Sequence, residues 1–138
     1  MPAIYEHAVA IGPEAIDRLG HVNNLVYLSW MIEAALAHSA VQGWPTERYE
    51  KLGQVWVVRS HQIKYLQPGF LQDGVIVRTW VAGMKRASSL REYKIVRAAD
   101  RALLASAATE WAFVDLASGT LKRIPAELVD SFELTDGA

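Results

Sequence analysis

The sequence predicts an α+β fold of two layers, with one long apolar helix lying on one antiparallel β-sheet. Two observations carry this. From Asn24 to Gln42 there are 19 residues, 13 of them apolar, and Glu33 is the only formal charge among them. The stretch is too short and too interrupted by polar residues to cross a membrane. Its apolar residues occupy most of a helical circumference, which predicts a helix buried by the rest of the chain. Downstream, runs rich in Val, Ile and aromatic residues follow one another through hairpin-length connections, and such connections make antiparallel neighbours.

Composition bounds the rest. A chain of 138 residues with 51% hydrophobic content reads as one domain, residues 1 to 138, with a modest core. The net charge of −1 and the lack of a basic stripe argue against nucleic acid, while leaving room for a local cationic patch on a phosphate-bearing ligand. There is no cysteine, which excludes disulfides, thiol catalysis and Cys-ligated zinc. The first residues, Met-Pro-Ala-Ile-Tyr-Glu-His, carry neither a basic n-region nor an apolar h-region. No signal peptide is expected, and the expected location is the cytoplasm.

In chain order, residues 4 to 11 read as a strand stopped by Gly12-Pro13. Residues 13 to 23 read as a turn region with a short helical turn. Asn23 or Asn24 is a natural N-cap for the long helix, which ends near Gly43 with Pro45 beyond it. Residues 45 to 52 suit a short second helix. Gln54 to Leu66 is a long strand stopped at Pro68-Gly69. Val75 to Ala82 alternates, with Val75, Val77, Thr79 and Val81 on one face and Ile76, Arg78, Trp80 and Ala82 on the other. Gly83 to Ser88 is a hairpin connection. Leu90 to Val96 sets Tyr93 and Ile95 opposite Glu92 and Lys94, and Leu103 to Asp115 is another long strand. A short strand at Leu121 to Ile124 and a helical turn at Ala126 to Phe132 follow, and the tail Thr135 to Ala138 reads as mobile. Several strands look apolar on both faces. Trp56, Trp80 and Trp111 are candidates for leftover apolar surface, which predicts self-association.

The chemistry points to the turn before the long helix. Asp17 there can act as a general base or attack an acyl carbon itself. Unpaired amides at a helix N-terminus favour a developing oxyanion. The competing structural reading is that Asp17 caps the turn or pairs with Arg18. His21 can orient Asp17, meet the substrate or shape the loop. Gly20 permits a backbone geometry that a side chain would block. Asn23 and Asn24 read most simply as caps and braces, and Tyr27 as packing with its hydroxyl near a pocket. Glu33, alone in an apolar helix, must be paired, exposed or functional. Lys85, Arg86, Ser88 and Ser89 on a hairpin suit phosphates, with Arg59 and Lys64 as further cations. His7, His38 and His61 show no ligand spacing, so no metal site is expected. No Gly-x-Ser-x-Gly, phosphate-binding Gly-rich loop or dinucleotide fingerprint occurs.

The stretch Asp17-x-x-Gly20-His21-Val22-Asn23-Asn24-x-x-Tyr27, followed by the apolar helix, resembles the signature of the 4-hydroxybenzoyl-CoA thioesterase-like branch of the hot-dog superfamily. Tyr65-Leu-Gln-Pro68 to Asp73, Glu110 to Leu116, and Ile124-Pro-Ala-Glu127 are similar to that family's later turn, last strands and tail. The resemblance implies a curved antiparallel sheet wrapped around a central helix, assembled as homodimers or homotetramers. It implies hydrolysis of an acyl- or aryl-CoA thioester, with Asp17 as nucleophile or base and the amides around Val22 to Asn24 as the oxyanion hole. It implies no cofactor beyond the CoA of the substrate, with an acyl-carrier protein as the other possible carrier. In the related plant acyl-ACP thioesterases the stretch reads Asp-x-Asn-x-His-Val-Asn-Asn, and here Leu19 stands at the middle Asn. That departure leaves Asp17 more isolated. A hot-dog protein that binds an acyl thioester without turnover, and a hot-dog hydratase or lyase, remain the alternatives.

Overall fold

The computed structural model describes residues 3–137, so the first two residues and Ala138 at the end of the tail lie outside it. Five strands, β1 (Ile4–Ala10), β2 (Gln54–Tyr65), β3 (Gly74–Met84), β4 (Ser88–Arg97) and β5 (Leu103–Asp115), form one sheet in the order β1-β3-β4-β5-β2. Every neighbouring pair is antiparallel. The long helix α1 (Asn24–Val41) packs on β1 and β3, followed by α2 (Thr46–Leu52), and α3 (Ala126–Asp130) closes the chain.

The alternation read from the sequence sets the inner face. Val75, Val77, Thr79 and Val81 are all buried, as are Tyr93 and Ile95 across from them. Met31 and Ala34 of α1, fully buried, seal this face together with Leu104 and Ala105. A second cluster gathers beyond the helix's C-terminal half, where Trp44, Tyr49, Phe113, Ile124, Leu128 and Phe132 meet.

Several boundaries and one environment differ from the sequence reading. The helix is not buried all round: Leu25, Leu36 and Val41 are 72%, 53% and 52% exposed, because one sheet covers only one side of it. Trp80 is buried, covered on its outer face by the tail at Gly137, while Trp56 and Trp111 are half-buried. Leftover apolar surface lies instead on α1 and at Val57 and Val58 of the free edge strand β2. The β3–β4 connection is only Lys85 to Ala87, so Ser88 and Ser89 belong to a strand. Near Leu121 there is a single bridge to Val114 rather than a strand. The tail is held, since Thr135 N donates to Val81 O at 3.1 Å.

Met31→Ala is expected to cost about 2–5 kcal/mol, the range for emptying a buried site. Leu121→Ala, at a half-exposed position, is expected to stay within about 0.5 kcal/mol. Urea melts of the two variants check both values, and a Met31→Ala loss no larger than that of Leu121→Ala would contradict this packing.

Candidate active site

The turn before α1 is built from backbone hydrogen bonds that leave little freedom. Asp17 N donates to His21 O at 2.8 Å and Gly20 N to Asp17 O at 3.1 Å, closing a tight loop. Gly20 completes it at φ 79°, in the left-handed region that favours glycine. Val22 N donates to Gly69 O at 2.9 Å and Asn23 N to Ala15 O at 2.8 Å, tying the loop to segments on both sides. The Asn23 side chain accepts from Leu25 N at 2.9 Å and is the N-cap. Tyr65 donates its hydroxyl to Asn24 O at 2.9 Å, anchoring the first turn to the end of β2.

Asp17 is half-buried. Its Oδ1 accepts from Leu19 N at 2.9 Å and from His21 N at 3.2 Å. Its Oδ2 accepts nothing among the described residues, and Arg18 makes no ion pair with it. One oxygen of the carboxylate is thus engaged by the turn and the other is not. The His21 ring packs edge-on against Phe70, 5.3 Å between centroids, and reaches Asp17 only through its main chain. Two of the three amides expected to serve an oxyanion are already engaged, Val22 by Gly69 and Asn23 by Ala15. Asn24 N–H is the one left without an acceptor among the described residues.

Tyr27 is buried, edge-on to Trp30 at 5.2 Å and to Tyr65 at 5.3 Å, and burial pushes its pKa up. Gly69 fits against it because a Cβ there would come within 3.2 Å of both the Tyr27 hydroxyl and a Val22 methyl. The loop around Gly69 and Phe70 thus forms one wall of the site, which its Pro68-Gly69 signature marked only as a turn. Glu33 is exposed, 3.5 Å from Ser29 Oγ and 3.7 Å from His7 Nε2 on the uncovered side of α1.

The cations expected at a nucleotide are not beside Asp17 in the same chain. Tyr65, Ala105, Ile95 and Val77 share one level of the sheet, next to the start of α1. From Val77 to Met84 the strand rises about 23 Å at roughly 3.3 Å per residue, and Lys85 and Arg86 lie exposed beyond that end. Ser88 is half-buried, and Ser89 is buried and faces inward, which removes it from a solvent-facing phosphate site. Arg59 is exposed at the β-bulge between Val58 and Ser60. Lys64 is exposed on the sheet face away from α1. The described residues contain no cluster of three His, Asp or Glu able to hold a metal.

An antiparallel five-stranded sheet laid on one long helix, with an acid-bearing turn at the helix start, defines a hot-dog protein. Residues 11–132 match the model of the thioesterase-like superfamily, and the chain belongs to that family. The fold is shared with a 1,4-dihydroxy-2-naphthoyl-CoA thioesterase from Synechocystis, at a TM-score of 0.85 and 16% identity, covering 93% of this chain and 94% of that one. A DHNA-CoA thioesterase from Staphylococcus aureus gives 0.82 and 22%, over 87% and 80%. A Staphylococcus aureus protein solved in complex with CoA gives 0.87 and 13%, over 93% and 80%. No curated protein matches in sequence.

Asn23→Ala removes the N-cap acceptor and is expected to lower stability by about 0.5–2 kcal/mol, with the Asn23→Asp variant near wild type. Thermal melts read this directly; equal melting of the Ala and Asp variants would show that the cap does not hold the turn.

Proposed function

We propose that the protein hydrolyses an acyl- or aryl-CoA thioester to the free acid and CoA. The observation that carries this is the division of labour at Asp17 in the turn that leads into α1: Oδ1 is fixed by two amides, and Oδ2 accepts nothing among the described residues. With the thioester carbonyl near Asn24, its N–H and the helix dipole stabilise the developing oxyanion. Asp17 then takes a proton from water as the water attacks the carbonyl carbon, or attacks that carbon itself. Collapse of the tetrahedral intermediate breaks the C–S bond and re-forms the carbonyl. On the first path the proton held by Asp17 passes to the CoA thiolate. On the second a water molecule hydrolyses the mixed anhydride left on Asp17, which releases the acid and restores the carboxylate. His21, held against Phe70, shapes the wall of the site and meets the substrate rather than Asp17.

Lys85 and Arg86 suit the phosphates of the nucleotide, yet they stand at the far end of the sheet from Asp17 of their own chain. A second copy resolves this. The free edge of β2, with Val57 and Val58 exposed, and the exposed face of α1 that carries Leu25 and Leu36 are the surfaces a partner would cover. In such an assembly the carboxylate of one protomer and the cations of its partner serve one substrate. The reading that favours binding without turnover rests on Asp17 Oδ1 being spent as a cap.

Free-thiol release from a panel of acyl- and aryl-CoAs tests the assignment. Asp17→Asn is expected to lower kcat at least about 100-fold while leaving binding in place. Full turnover by the Asn variant would remove Asp17 from the chemistry, and binding without release by the wild type would make this a binding protein. Reversing charge at Lys85 and Arg86 is expected to raise KM far more than it lowers kcat, and the opposite pattern contradicts their assignment to the nucleotide. Light scattering is expected to show at least twice the 15.3 kDa chain mass; a monomer contradicts the shared site.

A further inference from the structure

A cavity of about 530 Å³ opens between the C-terminal half of α1, α2 and the inner face of the sheet. It lies 11 to 15 residues along α1 from Asn24, or roughly 16–22 Å at 1.5 Å per residue, and shares no residue with the turn around Asp17. Its volume falls in the range of about 300–1,000 Å³ that encloses small organic ligands. Most of its wall is apolar, from Val55, Trp56, Val81, Met84 and Phe132.

One feature of that wall is out of keeping with the rest. Arg91 lines the cavity and is only 6% exposed, yet it pairs with no carboxylate among the described residues. Its strand phase forces this, since Arg91 lies two residues from Tyr93 and four from Ile95 and so shares their inward face. Nη1 donates to His38 Nδ1 at 2.9 Å and to Thr79 Oγ1 at 3.1 Å. A guanidinium can only donate, so Nδ1 of His38 is the acceptor. Nε and Nη2 donate to nothing among the described residues. Burial pulls the Arg91 pKa down to about 10, which leaves it charged at neutral pH. A buried, unpaired charge is costly and is ordinarily balanced by a counter-charge.

The neighbours share the same imbalance. Trp111 Nε1, on the cavity wall, is buried without an acceptor; it lies near the Tyr93 hydroxyl but outside hydrogen-bond geometry. Trp111 stands directly across from Ser89, and Ser89 is buried on the same wall two residues from Arg91. Of the hydroxyls on the wall, Ser39 Oγ and Tyr49 OH bond each other at 2.8 Å, and Tyr49 OH also receives Trp56 Nε1 at 3.2 Å, while Gln42 Oε1 and the Tyr93 hydroxyl, neither of them on the wall, are buried without partners. Glu50 is exposed at the rim and forms no ion pair with Arg91. The cavity wall therefore presents unpartnered donors, one of them cationic, around apolar space.

We propose that this cavity binds an organic monocarboxylate, its carboxylate on Arg91 with Ser89 and Trp111 and its apolar body among Trp56, Val81, Met84 and Phe132. Acceptance of two oxygens by the free side of a guanidinium is a strong, directional fit. The carboxylate can belong to a free acid or to the far end of a longer acyl group. The site does not depend on hydrolysis at Asp17.

Titration of the full chain, followed by calorimetry and by the fluorescence of the tryptophans in the wall, tests this. Octanoate is compared with octanamide, and the non-hydrolysable thioether analogue of octanedioyl-CoA with that of octanoyl-CoA. A carboxylate preference of at least about tenfold in either pair is expected, falling to within about twofold in Arg91→Met. Preference in the first pair identifies a free acid, and preference in the second a carboxylate at the end of an acyl chain. Replacing a buried charge by an apolar isostere is commonly tolerated, so Arg91→Met should fold. Should it not, Ser89→Ala supplies the comparison, with a preference reduced severalfold. Equal binding of acid and amide and equal binding of the two analogues, or a carboxylate preference that survives Arg91→Met, would overturn the proposal.

Discussion

The placement of Asp17 depends on how the first turn of α1 is pinned. A helix start has amides without partners, and a loop leading into it is ordinarily free to move. Here Ala15 and Gly69 each accept one of those amides, Asn23 caps another, and Tyr65 fastens the Asn24 carbonyl from the end of β2. The carboxylate then has one oxygen locked by two main-chain donors. Loop, helix and sheet edge are consequently one unit, and a shift of any of them would move the free oxygen of Asp17.

The same helix separates two chemically opposite environments. The turn before its start carries an acceptor, Asp17, and its first residue an unspent amide. Its C-terminal half borders a donor-rich cavity with Arg91 at its wall. The sheet makes both possible because its inner face is apolar near Val77 and Ile95 and turns polar further along, at Thr79, Arg91 and Thr109. A single layer of strands covers only one side of α1, so the face that carries Leu25 and Leu36 is left for another surface.

Much of this was legible in the sequence, for physical reasons. Strand phase placed Val75, Val77, Thr79 and Val81 inward, and the polar turn before an apolar run located the helix start and its Asn cap. What escaped depended on contacts distant in sequence. Nothing local says that Gly69 would take the Val22 amide, or that Ala15 would take that of Asn23, and so the amides reserved for an oxyanion were overcounted. The helix looked buried all round because composition reports apolar residues but not how many layers cover them. Arg91 was detectable: the alternation that set Tyr93 and Ile95 opposite Glu92 and Lys94 puts Arg91 on the inner face. It was passed over because a charge on a strand is usually assigned to solvent. Ser89 escaped because the strand begins at Ser88, two residues before the Leu90 at which the alternation becomes clear.

The central claim is that one protomer's Asp17 works with its partner's Lys85 and Arg86. Mixing Asp17→Asn, expected to lack turnover, with the Lys85→Glu, Arg86→Glu double variant, expected to be nearly silent at low substrate, tests it most directly. Each variant alone lacks half of every site. If the site is shared, half of randomly mixed dimers carry one intact site, and the mixture should regain about a quarter of wild-type turnover at low substrate. A mixture no more active than its parts would contradict sharing and return the nucleotide to residues of the same chain as Asp17.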